Sequence, residues 1–167
     1  KCDEIIVTIR KLLKSFKLKP FDENEMTGFL RHVLIRKGYY TGQIMVVLVT
    51  GTPVFPSCRS FINALLQRHP EITTIVQNIN NKFTSLVLGE KNITLYGDGY
   101  IEDTIFDFNF RISPGSFYQV NPVMTTVLYG KAIEYMELSG TETVIDAYCG
   151  TGTIGIIASK YAGQVIG

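Results

Sequence analysis

The chain has 167 residues, of which 46% are hydrophobic and 19% charged, and its formal net charge at pH 7 is +1. This composition is typical of a globular protein with a core and excludes a disordered or strongly basic chain. No apolar run approaches the ~20 residues that cross a bilayer, so we expect no membrane partner.

The three cysteines and two histidines do not suggest a metal or disulfide framework. Cys2, Cys58 and Cys149 are too far apart, and His32 and His69 have no second ligand at metal spacing. The sequence therefore predicts no metal site, and reduced thiols favour a cytoplasmic location.

The first part of the chain alternates helical and extended patterns. Apolar residues from Ile5 to Phe16 recur at helical spacing, and that helix ends before Pro20. The next predicted elements are a strand pair forming a hairpin over 29–36 and 44–49, a helix between Pro56 and Pro70, and a strand over 72–79.

Three further strands are predicted near Ser85–Leu88, Ile93–Tyr96 and Thr104–Ile112, where apolar and polar residues alternate. Gly97-Asp98-Gly99 turns the chain between the second and the third. Residues 1–112 are thus predicted to be an α+β domain with a mainly antiparallel sheet.

Ser113-Pro114-Gly115 interrupts this pattern, and a second domain is predicted over residues 113–167. Its first helix runs to about Leu138, with Asn121 as the N-cap and Pro122 at the first helical position.

The most informative segment is the glycine-rich one from Val144 to Gly155. Val144 and Ile145 predict a buried parallel strand, Asp146 follows it, and Gly150 and Gly152 allow a tight turn before a helix. Residues 164–167 predict the next strand. This strand, turn and helix are typical of the cofactor loop in Rossmann-like domains.

The ligand of such a loop depends on its charge. A carboxylate at Asp146 opposes the phosphates of a dinucleotide but suits the cationic S-adenosylmethionine (SAM). The pattern favours a methyltransferase, while a dinucleotide site and a ligand-free α/β turn remain alternatives.

Two motifs, in this order, resemble those of the RNA uracil-5-methyltransferases. They are Ser116-Phe117-Tyr118-Gln119-Val120-Asn121-Pro122 and Asp146-Ala147-Tyr148-Cys149-Gly150-Thr151-Gly152. Residues 30–36 and 42–48 are similar to the central domain of that family, and the likeness is greatest to the bacterial 23S ribosomal RNA branch. The resemblance implies an α/β fold: an α+β central domain, then the truncated start of a Rossmann-like class I methyltransferase domain.

The resemblance also implies an activity and site residues. Its members transfer a methyl group from SAM to C5 of uridine in RNA, after a cysteine thiolate adds to C6 and before a carboxylate removes the C5 proton. By this likeness Gln119 hydrogen-bonds SAM, Tyr148 lies beside it, and Asp146, Gly150 and Gly152 shape the pocket.

This sequence departs from the family in lacking the nucleophile motif and the base, because Cys2, Cys58 and Cys149 do not match the former. We expect a fragment that is inactive alone, whose parent has an RNA-binding barrel and, in some members, a 4Fe-4S cluster outside this chain. The second half is expected to be poorly ordered, packed on the first domain, or completed by self-association with another copy of the chain. The alternatives are a dinucleotide-binding oxidoreductase fragment and a non-enzymatic RNA-binding module made of residues 1–112.

Overall fold

The structure, a computed structural model, describes residues 1–167 as four helices and eight strands. In chain order these are α1 (Cys2–Ser15), β1 (Leu30–Lys37), β2 (Ile44–Thr50), α2 (Cys58–Arg68), β3 (Ile72–Ile79), β4 (Lys91–Tyr96), β5 (Ile101–Ile105), β6 (Phe108–Ile112), α3 (Pro122–Met136), β7 (Thr143–Ile145), α4 (Thr153–Ala158) and β8 (Gln164–Ile166). The predicted mixed α/β class is confirmed. No helix is long and apolar enough to span a membrane.

The backbone packs as two compact units. Unit 1 comprises residues 1–38, 42–101 and 113–115, and unit 2 comprises residues 39–41, 102–112 and 116–167. The predicted domain boundary after residue 112 stays a prediction, but packing places residues 102–112 in unit 2 rather than in unit 1.

Unit 1 is built on a four-stranded sheet in the order β1-β2-β3-β4. The β1–β2 hairpin is antiparallel as predicted, β2 and β3 are parallel, and β3 and β4 are antiparallel. The parallel pair follows from the crossover through α2, since two parallel strands cannot be joined by a tight turn. The unbroken apolar run of β2 fits its central position, where all seven residues are buried.

The core of unit 1 lies between this sheet and the two helices. α1 contributes Ile5, Ile9 and Leu12, one face of an amphipathic helix, and α2 contributes Phe61 and Leu65. Phe61 packs edge-on against Phe16, with ring centroids 5.4 Å apart.

Unit 2 contains the β5–β6 hairpin, α3 and a β7-α4-β8 unit in which β7 and β8 are parallel. Its small core joins the hairpin to α3 and α4; the members are Ile105, Phe108, Phe110, Tyr118, Tyr129, Ile133 and Ile157. The sequence predicts a buried β7, but Ile145 is 71% exposed. The reason is that β7 has β8 as its one neighbouring strand.

Two predicted strands were wrong. Ser85–Leu88 is not a strand; its carbonyls at Leu86 and Val87 accept hydrogen bonds from the Asn80 side chain instead of a neighbouring strand. The single strand predicted over Thr104–Ile112 is a hairpin, because the chain reverses at Phe106, whose φ is +53°. Alternation alone does not reveal a two-residue turn.

Candidate functional site

The glycine loop connects β7 to α4. Asp146 follows β7 directly, and its backbone N–H donates to the Ile166 carbonyl at 2.8 Å, which extends the parallel ladder by one bond. Gly150 and Gly152 have φ values of +55° and +74°, a left-handed conformation that favours glycine. The Gly152 N–H donates to the Cys149 carbonyl at 2.7 Å and closes the turn before α4.

A cavity of about 430 Å³ opens at this loop. Its walls come from the loop, from the first turns of α4 and from β8; the lining residues are Asp146, Cys149, Gly150, Thr151, Gly152, Gly155, Ile156, Ser159, Val165 and Gly167. A concave site of this volume with a few polar groups is typical of a small-molecule pocket.

The Asp146 carboxylate is the chemically distinctive group in this cavity. Its Oδ2 atom is buried and has no hydrogen-bond partner. A buried carboxylate oxygen without a donor is destabilising, and such groups are rare in folded proteins. The arrangement therefore suits a ligand that brings a hydrogen-bond donor or a positive charge to Asp146.

Gly155 keeps α4 close to this carboxylate. A Cβ atom at Gly155 would lie 3.3 Å from Asp146 Oδ2 and 3.3 Å from Val165 Cγ1, so a larger residue would displace one of them. Gly155 thus has a packing role beside the cavity.

The Thr151 hydroxyl of the glycine loop donates a hydrogen bond to the Phe117 carbonyl, in the segment before α3, at 3.4 Å. The segment continues into α3 as predicted. The Asn121 side chain accepts from the Met124 N–H at 3.1 Å, and Pro122 opens the helix.

Tyr118 anchors that segment in the core of unit 2. Burial first, and then the negative charge of Asp103, raise the pKa of the Tyr118 hydroxyl well above its usual range. Asp103 is buried and accepts hydrogen bonds from the N–H groups of Tyr39 and Tyr40, each at 2.9 Å. These contacts tie the 39–41 turn and the hairpin together within unit 2.

The structure brings together three of the five predicted site residues. Asp146, Gly150 and Gly152 line one cavity, whereas Gln119 and Tyr148 do not, and the Tyr148 side chain is 99% exposed. The roles of all five stay predictions.

Sequence reasoning missed Ile156, Ser159 and Val165 as lining residues. Ser159 lies one helical turn after Gly155, so helical periodicity from Gly155 would have found it. No three His, Cys, Asp or Glu side chains converge in an arrangement that could hold a metal ion.

Comparison with known proteins gives relatives over almost the whole chain, although no family model matches. An uncharacterised RNA methyltransferase of Enterococcus faecalis is 47% identical over 165 residues, covering 99% of this chain and 36% of the relative. One of Clostridium acetobutylicum has the same identity and coverage. The chain thus spans about a third of the length of these relatives.

Among solved structures, the fold is similar to Pyrococcus abyssi tRNA (uracil-54, C5)-methyltransferase in complex with S-adenosyl-L-homocysteine. The TM-score is 0.74 at 25% identity, over 93% of this chain and 36% of that one. Over almost its whole length, the chain is therefore similar to one part of these RNA methyltransferases, and its fold is similar to that of the Pyrococcus abyssi enzyme.

Proposed function

We propose that the protein containing this chain is a SAM-dependent methyltransferase that acts on C5 of uridine in RNA, with 23S ribosomal RNA as its substrate. The observation that carries the proposal is the cavity at the glycine loop, with the unpaired Asp146 oxygen in its wall. The named relatives support the reaction class, and the Pyrococcus abyssi neighbour supports uracil C5 and the cofactor.

The residues of the cavity fit SAM. The ligand brings ammonium and hydroxyl donors and no phosphate, which matches a cavity wall that contains the Asp146 carboxylate with one oxygen unpaired. The left-handed turn at Gly150 and Gly152 leaves room for a ligand against the backbone, since a Cβ at Gly150 would meet nothing within 4 Å. When bound, SAM supplies the methyl group that is transferred.

Each predicted site residue and Gly155 have a role in this proposal. Asp146 holds a donor of the cofactor, and Gly155 keeps α4 against that carboxylate. Tyr148, whose ring is almost wholly exposed, is free to lie along the ligand, and Gln119 donates a hydrogen bond from the segment that Thr151 ties to the loop. Neither the nucleophile nor the base is assigned to a residue of this chain.

The cofactor is tested by titrating S-adenosylhomocysteine into the chain by calorimetry. We expect binding that Asp146→Asn weakens about tenfold or more, because a hydrogen bond to a charged group contributes about 1.5–3 kcal/mol. The matched control is Asp98→Asn, the same change at an exposed aspartate of unit 1, which should leave the affinity unchanged.

Asp146→Asn is also expected to affect the stability of the free and the ligand-bound chain differently. Because Asp146 Oδ2 has no hydrogen-bond partner in the free chain, Asp146→Asn should leave the melting temperature of the free chain nearly unchanged while lowering the stability gained from the ligand. Binding of NAD in place of S-adenosylhomocysteine would instead support the dinucleotide alternative, and equal affinity in both variants would reject the role of Asp146.

The position of methylation is tested on the whole protein with RNA labelled with tritium at C5 of uridine. Methylation at C5 replaces the C5 hydrogen, so tritium should be released into water as the methyl group is incorporated. Incorporation without release would place the methyl group elsewhere. Comparison of 23S rRNA with transfer RNA transcripts decides the substrate.

A further inference from the structure

Unit 1 carries a second feature that the cofactor site does not use, the irregular segment from Asn80 to Gly89, here called the 80–89 loop. It has no strand or helix, yet buried side chains hold its backbone. The Arg31 guanidinium donates to the carbonyls of Asn80 at 3.1 Å, Lys82 at 2.8 Å and Thr84 at 3.2 Å. Its side chain is 2% exposed and also pairs with Glu23 at 2.6 Å.

Two buried asparagines hold the rest of the loop. The Asn80 amide donates to the carbonyls of Leu86 and Val87, at 2.8 and 3.2 Å. The Asn78 side chain donates to the Gly89 carbonyl at 2.9 Å and accepts from the Gly89 N–H at 2.7 Å. A Cβ at Gly89 would lie 1.9 Å from the Ile79 carbonyl oxygen, so the chain passes this point only as glycine.

This fixed backbone presents apolar side chains to solvent. Phe83 is 88% exposed, and Leu86 and Val87 are exposed as well. Large apolar residues on a preformed loop are suited to binding, because little conformational entropy is lost when a partner docks. These three side chains are exposed and add nothing to the core of unit 1, so folding does not explain why they are apolar.

The polar groups of the loop and of the cavity against it indicate which partner fits. A cavity of about 370 Å³ lies against the loop, and its polar lining residues include Asn81, Lys82, Thr84 and Lys91. Phe83 lies in sequence between two of these lining residues. An aromatic face, amide and hydroxyl groups and two ammonium groups match the ring, the edge and the phosphates of an unpaired nucleotide.

A protein partner fits less well. The cores of protein–protein interfaces are depleted of lysine and glutamate, whereas this cavity is lined by Lys82, Glu90 and Lys91. Both side chains of the Lys82–Glu90 ion pair are exposed, and exposed pairs contribute little to stability. Little free energy is therefore lost when Lys82 leaves Glu90 to contact a phosphate.

We propose that the 80–89 loop binds single-stranded RNA, with Phe83 stacking on an unpaired base and Lys82 and Lys91 contacting phosphates. This inference rests on the proposed action on RNA. It adds an RNA-contacting surface in unit 1, remote in sequence from the glycine loop.

The test is fluorescence anisotropy of a labelled oligouridine RNA of about 12 nucleotides, a length that suits a single-strand binding surface, with the full 167-residue chain. Phe83→Ala should weaken binding about tenfold, because it removes the ring on which a base stacks. Phe83→Trp should keep the affinity. Tyr135→Ala, an exposed aromatic on α3 in unit 2, is the matched control and should bind as the unmodified chain does.

Salt dependence separates stacking from charge. Lys91→Gln should lower the slope of log affinity against log salt by about one, whereas Phe83→Ala should leave the slope unchanged. Equal affinities for Phe83→Ala and Tyr135→Ala would overturn the proposal, as would the absence of RNA binding by the unmodified chain.

Analytical ultracentrifugation tests the other partner that could cover the loop, a second copy of this chain. If Phe83→Ala abolished self-association of the chain while leaving RNA affinity intact, the loop would be a contact between copies and the proposal would fail. A titration with S-adenosylhomocysteine on the same samples tests the cofactor site separately, so failure of the loop and failure of the proposed function give different results.

Discussion

β2, a central strand of unit 1, and β7, the first strand of the β7-α4-β8 unit, are both apolar, yet they have opposite environments. Every residue of β2 is buried between β1 and β3, whereas β7 has β8 as its one partner and leaves Ile145 exposed. Apolar sequence makes a strand suitable for burial, but the number of neighbouring elements decides whether burial occurs.

The helices of the two units differ in the same way. α1 buries a full apolar face through Ile5, Ile9, Leu12 and Leu13, while α3 buries Thr125 alone and exposes Val127 and Leu128. Unit 1 therefore draws its stability from a core of its own, and unit 2 depends more on local caps and a small cluster. Substitutions in the two units should reveal this difference.

The largest effect is expected in the core of unit 1. Phe61→Ala should lower the free energy of unfolding by about 3–5 kcal/mol, because it removes a fully buried ring and leaves a cavity beside Phe16. Urea denaturation followed by circular dichroism measures it. Phe83→Ala, the same change at an exposed site of the same unit, should change it by less than about 0.5 kcal/mol. Similar values for both would mean that the core of unit 1 is loosely packed.

In unit 2 the N-cap of α3 should matter more than most of its apolar residues. Asn121→Ala removes the acceptor for the Met124 N–H and should destabilise the helix by about 1 kcal/mol. Amide hydrogen exchange at Met124 measures the loss. Asn121→Asp keeps an acceptor oxygen and should retain protection; faster exchange in that variant as well would argue against capping as the cause.

Ile145→Ala should have little effect, within about 0.5 kcal/mol, since the side chain is mostly exposed. The measurement is urea denaturation at two protein concentrations. A larger loss that grows with concentration would show that a second copy covers β7, which is the predicted self-association. A larger loss independent of concentration would contradict the exposed position of Ile145.

The last prediction concerns acid pH and Glu142, whose exposed carboxylate accepts hydrogen bonds from the turn before β7. Hydrogen bonds from the Ser139 hydroxyl, and then from backbone N–H groups of the turn, lower the pKa of Glu142 from 4.5 to about 2. Because the folded pKa is the lower one, this contribution is present above pH 4.5 and is lost as the pH falls through about 2.

Nuclear magnetic resonance titration of the Glu142 carboxyl group should therefore show a midpoint near 2. Ser139→Ala removes the first donor and should raise that midpoint, while Glu142→Gln should flatten the acid part of the stability profile. A midpoint near 4.5 in the unmodified chain would mean that the turn does not hold the carboxylate.

Local signals predicted many of the elements well. The apolar spacing of α1, the hairpin of β1 and β2, and the cap of α3 by Asn121 all depend on residues close together in sequence. Signals that depend on a neighbour failed: Ser85–Leu88 looked extended, but Arg31 and Asn80 hold that region as a loop.

The candidate site divides in the same manner. That Asp146, Gly150 and Gly152 lie close together follows from the sequence, because seven consecutive residues of a strand–turn–helix cannot separate. Folding alone leaves Asp146 Oδ2 without a donor, brings Ser159 to the cavity and keeps Gln119 out of its lining. Hydrogen-bond satisfaction and burial depend on atoms brought together by folding, and no pattern along the chain contains them.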